Sequence, residues 1–354
     1  MVSPHPPPTL PRTPHETAIS LRIPLLCLVA AAVPALDQLD LPVAAQWYAP
    51  LRERPVLRVA SAWGAEESAD VRGSDASLAR DGGYVTASGR AWRGERSEAW
   101  LRLTGVDLRL DGDAALPVTG PLPDRLQDLR LGGFWRMATA GGAIVGLDAE
   151  VSSPSDDPYS DSDVLGVGAT AFARIPTTGM DAWTLLLRYD STSTLLSGVP
   201  IPGVGYQWIR PGLLATVGIP FVIVDWRPID DWSFSASYFP IDAGNIGIRW
   251  SPGSPAAAPG PARGPWSIGP GMSVSYENWF RADRPDEDVR LTFRTVRAFV
   301  VGEWKPSPPF ALRLALGRIL LREVYETEDW SHRDENRFRT DPAWYGSLGA
   351  SAAF

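Results

Sequence analysis

Along most of the chain apolar and polar positions alternate in twos, and turn-forming residues separate the alternating runs. The clearest run is 310–317, with Phe310, Leu312, Leu314 and Leu316 on one face and Ala311, Arg313, Ala315 and Gly317 on the other. Trp232, Phe234, Ala236 and Tyr238 alternate with Ser233, Ser235 and Ser237 in the same way. Ile246, Ile248 and Trp250 alternate with Asn245, Gly247 and Arg249, and Met272, Val274 and Tyr276 with Ser273, Ser275 and Glu277. Runs 183–189 and 129–135 repeat the pattern, blurred by Leu186 and Phe134. Less regular candidates cover 56–63, 84–92, 100–110, 143–151, 164–173, 213–224 and 289–304. The final run sets Leu348, Ala350, Ala352 and Phe354 on one face and Ser347, Gly349 and Ser351 on the other. No run beyond ten residues carries a convincing helical period.

One apolar and one small or polar face, repeated along the chain, predicts an all-β fold: an antiparallel transmembrane β-barrel. The runs predict about 12 strands, within a range of 10 to 14, because bacterial barrels use even numbers. Leu348 and Phe354 belong to the strand that closes the barrel. Trp226, Trp232, Trp250, Trp266, Trp279, Trp304 and Trp344 fall at or near run ends, where an amphipathic indole meets a membrane interface. The connections alternate too. Segments 281–288 and 325–341 are charged, whereas 305–309 is short. With the C-terminus on the periplasmic side, the charged ones lie outside the cell. The Pro-, Ala- and Gly-rich segment 251–265 is long where a short turn is expected, and reads as an insertion or a sub-domain boundary.

The first residues read as an address. Arg22 precedes an apolar run over 23–36 that is too short to span a bilayer as a helix. Residues 1–45 are therefore assigned to a signal peptide with an N-terminal extension, and 46–354 to the barrel. Small residues place cleavage after Ala45 or, second, after Ala35. Cys27 is the one cysteine and sits in the apolar run, so the exported chain is expected to lack thiols. Leu25 and Leu26 before it argue against lipidation.

Composition narrows the picture. A mean hydropathy of −0.09 excludes a helical membrane protein, but not a barrel, in which only alternate residues face lipid. A net charge of −8 speaks against nucleic acid. Gly 33 and Pro 34 fit many turns.

Candidate chemistry is sparse. His332 beside Ser331 is the only histidine after residue 45, and a Ser–His pair is a hydrolase motif. Adjacent residues in a strand point to opposite faces, however, so a solvated polar loop is the preferred reading. Asp156, Asp157, Asp161 and Asp163 would suit a hard cation. Their spacing lacks the central Gly and final Glu of an EF-hand, and a solvated loop is again preferred. No catalytic, cofactor-binding or metal-binding residue is assigned. Arg188, Arg249, Glu277, Arg294 and Arg313 fall on faces assigned to the lumen, where they would set ion selectivity or pair into a plug.

From about Leu126 to Phe354 the chain resembles a group of outer-membrane β-barrel families of Gram-negative-type bacteria that are defined by architecture and carry no assigned activity. The stretch Gly203-Val204-Gly205-Tyr206, the stretch Val217-Gly218-Ile219-Pro220-Phe221, the serine-alternating strand at 232–238 and the terminal Phe354 carry this resemblance. It implies a non-enzymatic barrel of the cell outer membrane, serving as a small diffusion channel or a structural or binding barrel. Its partners would be outer-membrane lipid and the barrel-assembly machinery, with no cofactor. A barrel hydrolase and a secreted soluble β-sandwich or lipocalin-like carrier are the alternatives.

Overall fold

Each strand pairs with the next in the chain, and the last returns to the first. The structure, a computed structural model, describes residues 56–193, 198–239, 243–254, 264–284, 286–307, 309–328 and 332–354. The segment 1–45, both cleavage positions, Cys27 and Ser331 lie outside the described residues. In chain order the strands are β1 (Leu57–Asp70), β2 (Ser77–Arg93), β3 (Ser97–Gly112), β4 (Arg125–Ala138), β5 (Ile144–Ser152) and β6 (Gly166–Pro176). Next come β7 (Ala182–Asp190), β8 (Ile201–Arg210), β9 (Leu213–Ile219), β10 (Val222–Ile229), β11 (Trp232–Phe239) and β12 (Ala243–Trp250). The chain ends with β13 (Trp266–Trp279), β14 (Arg290–Ser307), β15 (Phe310–Thr327) and β16, which is broken into Arg337–Thr340 and Ala343–Ala353. Both pieces of β16 pair with β15, so the closed antiparallel sheet has 16 strands. The seam runs from Arg58 opposite Ala353 to Glu66 opposite Tyr345.

Sixteen strands correct the expected 12: each of the 14 alternating runs contains a strand, and two further strands are added to them. The run at 213–224 is two strands, because Pro220 and Phe221 form a two-residue turn between β9 and β10. The whole of β8 was read only for its Gly203-Val204-Gly205-Tyr206 motif, because glycines at its inward positions hide the alternation. Those glycines are there for packing. Leu186 of β7 lies flat on the wall over Gly203, where an added Cβ would come within 2.7 Å of it. Phe172 lies over Gly146 in the same way, 2.3 Å from where a Cβ would stand.

The outward face is an apolar belt. Leu57, Val59, Leu101, Leu103, Leu129, Leu131, Leu185, Leu187, Ile246, Ile248, Leu312, Leu314, Leu316 and Leu348 are all exposed on it, Leu348 by 58%. At the end where Leu57 and Phe354 meet, the terminal end, the belt finishes in a tryptophan girdle. Trp135, Trp183, Trp208, Trp226, Trp232, Trp250, Trp266 and Trp304 are exposed there. Edge-to-face pairs join Trp183 to Tyr206 at 5.1 Å, Trp250 to Trp266 at 4.8 Å and Phe310 to Phe354 at 6.0 Å. Trp279 is not part of any girdle. It is 4% exposed and belongs to an apolar cluster inside the opposite, distal end.

Connections at the terminal end take two to five residues, apart from 251–265. Its first part is tied down: Ser251 N–H donates to Asp231 O at 2.6 Å, and Gly253 N–H to Asp231 Oδ1 at 2.7 Å. The connections of nine residues or more that remain, 113–124, 153–165, 191–200, 280–289 and 328–336, all belong to the distal end. Strands β13 to β15 and β1 to β4 run to 14–18 residues, beyond the ~9–11 that cross a bilayer. Their surplus projects at that distal end.

Candidate functional site

Polar side chains from many strands converge in the barrel interior. Glu66 of β1 is buried there. Arg322 of β15 meets one of its oxygens, Arg297 of β14 reaches the other at 3.2 Å, and Arg80 of β2 lies 3.8 Å away. Arg80 also donates through Nη2 to both oxygens of Glu277 on β13, at 2.9 Å each. Three guanidiniums and two carboxylates thus occupy one buried cluster, and the pairing satisfies charges that could not otherwise leave water.

Distal to this cluster the interior is filled. Leu78, Leu108, Leu110 and Leu126 from β2 to β4 pack against Trp279, Leu291, Phe293, Val324 and Phe338 from β13 to β16. Leu116 and Leu122 of the connection 113–124 join them. The same connection is fastened to connection 328–336, since Val118 N–H donates to Asn336 Oδ1 at 3.0 Å.

The mouth is crossed as well. Connection 153–165 follows β5, and 280–289 follows β13, eight places away in a ring of 16 and so on the opposite wall. Yet Phe280 N–H donates to Pro154 O at 2.7 Å, and Ser155 exchanges backbone bonds with Gln127 of β4 at 2.7 and 2.8 Å. Gln127, Ser155 and Phe280 thus form a ladder of two bridges strung over the opening. Ala282 N–H to Asp156 Oδ1 at 2.8 Å and Arg284 Nη2 to Asp163 O at 2.9 Å extend it. The acidic stretch, expected as a solvated loop, is therefore half structural. Ser153 and Ser155 are buried, and Asp161 caps a single 3-10 turn. The Ser162 hydroxyl and N–H donate to Asp161 and hold its carboxyl below the ordinary carboxylate range. Among the described residues no His, Cys, Asp or Glu trio is placed to hold a metal.

On the other side, along β3 to β7, charged side chains line open interior. Arg102 reaches over Gly132 to Glu150 at 2.9 Å and Asp148 at 3.3 Å. Arg130 meets Asp128, and Arg188 stands 3.5 Å from Asp190. Three arginines and four carboxylates alternate along this stripe, and most are partly exposed to the lumen. Ser233, Ser235, Ser237, Asn245, Ser273 and Ser275 continue it as an uncharged polar wall across β11 to β13. Nearer the terminal end, Glu303 faces Arg313 across β14 and β15 and pairs with Lys305 at 2.6 Å.

The expected lumen residues separate into two groups. Arg188, Arg249, Glu277 and Arg313 lie on the inward face, Arg188 over the Phe239 ring at 5.1 Å. Arg313 alternates with Leu312 and Leu314, which point outward. Arg294 is turned the other way. It sits opposite Tyr276 and Glu323 on the outward face, whereas Phe293 and Thr295 beside it are buried inside. Apolar residues occupy both faces of β14, which reverses the apparent phase of its alternation. Alternation does not single out Glu66, Arg80 and Arg322, which lie beyond the runs at 56–63, 84–92 and 310–317, nor Arg297, which lies within 289–304 where apolar residues on both faces mask it. His332 lies in the distal connection 328–336.

At the terminal end Arg210 forks onto Asp181. Nη1 meets Oδ1, and Nη2 donates to Oδ2 at 2.7 Å. These bonds hold the Asp181 carboxyl below the ordinary carboxylate range.

The chain matches no protein-family model and no curated protein. Among solved structures it is similar to an outer membrane channel from Pseudomonas putida F1, at 14% identity and a TM-score of 0.37, with 86% of this chain and 97% of that one covered. It is similar to the Pseudomonas putida toluene transporter TodX at 10% identity and a TM-score of 0.37, covering 88% and 92%. The translocator domain of the autotransporter NalP from Neisseria meningitidis follows at 11% identity, a TM-score of 0.33 and the same coverage.

Proposed function

We propose that this chain is a non-enzymatic barrel of the outer membrane whose interior passes small polar solutes of mixed charge, and whose distal mouth is shut by its own connections in the state described. One observation carries the reading: the outward face is an apolar belt ending in a tryptophan girdle, while ionised side chains pair inside. Water-facing sheets reverse that order, and a barrel in lipid requires it. Short turns at the terminal end then face the periplasm, and the long distal connections face outward from the cell. The terminal strand, ending at Phe354, is the segment the assembly machinery would engage.

The lining supports the solute class. Arginines and carboxylates alternate from β3 to β7, so neither sign of charge prevails, and the serine wall accepts or donates hydrogen bonds without bias. Zwitterions and small neutral polar molecules suit such a surface. The Gln127–Ser155–Phe280 ladder and the apolar filling make the passage conditional on moving connection 153–165. Planar-bilayer recording of folded protein tests the reading, next to gel migration with and without boiling. A heat-modifiable protein with rare, small openings fits it. Extraction as a soluble monomer without detergent would overturn it.

A further inference from the structure

The outward face carries a basic cluster that lumen transport does not use. Glu323 of β15 is covered by three arginines: Arg337 at 2.9 Å, Arg339 at 2.9 Å and Arg294 at 3.3 Å. Glu323 itself is fully buried, whereas the arginines keep 28–43% of their side chains exposed. Asp334 takes a second bond from Arg337 at 2.6 Å. Three arginines less these two carboxylates leave one positive charge, and Arg318 on the same face adds another, stacked over the Trp344 ring at 5.8 Å. Glu67, which accepts from the Trp344 N–H at 3.4 Å, takes one back, so four arginines against three carboxylates leave a single net positive charge.

Height along the strand matters as much as charge. On β15 the outward belt runs from Phe310 to Leu320, eleven residues, which matches the ~9–11 needed to cross the hydrocarbon. Arg318 thus stands at the upper edge of the belt and Glu323 with its arginines just above it, at headgroup level. The distal rim has no tryptophan girdle like that of the terminal end among its described residues. On the rim of β2 to β4, a few strands beyond the seam, around Arg109 and Arg125, Asp81, Asp107 and Asp111 outnumber the arginines.

We propose that Arg294, Arg337, Arg339 and Arg318 bind the phosphate-bearing headgroup of an outer-leaflet lipid, with its acyl chains along Leu316, Leu320 and Trp344. Guanidiniums match phosphate geometry through paired donors. The proposal rests on the membrane reading, and the test keeps the two apart.

Folded protein in neutral detergent is titrated with dihexanoyl phosphatidic acid, dihexanoyl phosphatidylcholine or inorganic phosphate, and bound molecules are counted by native mass spectrometry. The wild type should retain phosphatidic acid over phosphatidylcholine. Arg339→Gln and Arg318→Gln should each weaken that retention about fivefold, and Arg125→Gln at the rim of β4 should leave it unchanged. Inorganic phosphate, lacking acyl chains, should neither be retained nor compete. Equal retention of both lipids, equal competition by phosphate, or an equal loss in Arg125→Gln would each overturn the site. Arg318 makes no ion pair that Glu323 depends on, so Arg318→Gln decides the matter should Arg339→Gln lose heat-modifiable migration. Insertion into phosphatidylcholine vesicles checks the membrane reading separately: failure there sinks both ideas, whereas insertion without lipid discrimination sinks this one alone.

Discussion

Arg80 on β2 and Glu277 on β13 meet at 2.9 Å inside the barrel, although five strand-to-strand steps separate them around the wall. Five steps at ~4.8 Å amount to roughly 24 Å of sheet. The pair therefore bridges the interior and draws two walls together below the apolar filling. Arg80→Met should destabilise the barrel by about 1.5–3 kcal/mol, because it leaves the half-buried Glu277 carboxylate without its charged hydrogen-bond partner. Adding Glu277→Leu to that variant should recover a large part, since Leu110 and Phe293 adjoin the site. Urea unfolding followed by tryptophan fluorescence measures both. A loss below about 1 kcal/mol in Arg80→Met would mean that water, and not Arg80, satisfies Glu277.

The same pair shows how far the sequence reaches. Glu277 could be placed inward from the alternation of Met272, Val274 and Tyr276 with Ser273 and Ser275, since one register decides a whole strand. Its partner could not be found, because pairing across a lumen depends on closure and on strand number, and nothing local encodes either. Arg313 was legible for the same reason as Glu277. Arg294 was not, because Leu291, Phe293, Phe299 and Val301 are apolar yet inward. Alternation reports lipid only where the other face is polar. Above the apolar belt, in the distal extensions of β14 and β15, it loses that meaning.

Connection 153–165 should act as the obstruction. Deleting 156–163 removes Asp156 and Asp163, which hold Ala282 N–H and Arg284, while β5 and β6 keep their pairing. Bilayer conductance should rise several-fold over the wild type, with folding judged by gel migration. Unchanged conductance in a folded variant would place the block in the apolar filling or the Glu66 cluster instead.

The barrel seam offers a test of the terminal residue. Phe354 N–H donates to Leu57 O at 2.8 Å, Leu57 N–H donates back at 3.1 Å, and the Phe354 ring meets Phe310 edge-on. Removing Phe354 should lower the yield of heat-modifiable protein in the outer membrane. Leu348→Asp, placed outward beside Trp63 and Leu314, should lower it as strongly. A charge on the lipid face costs up to about 2–4 kcal/mol near the midplane, for Arg and Lys at the upper end. Ser347→Asp, on the inward face, should be tolerated. Equal tolerance at positions 347 and 348 would deny the outward face its lipid.

The terminal-end turn between β6 and β7 carries a pH-dependent contribution. Asp181 accepts from Arg210 and from Ile209 N–H at 3.2 Å, and its folded-state pKa is depressed below the ordinary 3.8. A depressed carboxylate binds fewer protons when folded than when unfolded, so its stabilisation is complete above the unfolded pKa. It fades as pH falls through that value and is lost below the folded one. Asp181→Asn should accordingly unfold at a lower temperature than the wild type at neutral pH. The gap between the two should narrow once pH drops below about 4 and close in stronger acid. Melting curves in detergent across that range measure it. A gap that stays constant into strong acid would assign the effect to the lost geometry of the turn and not to the charge on Asp181.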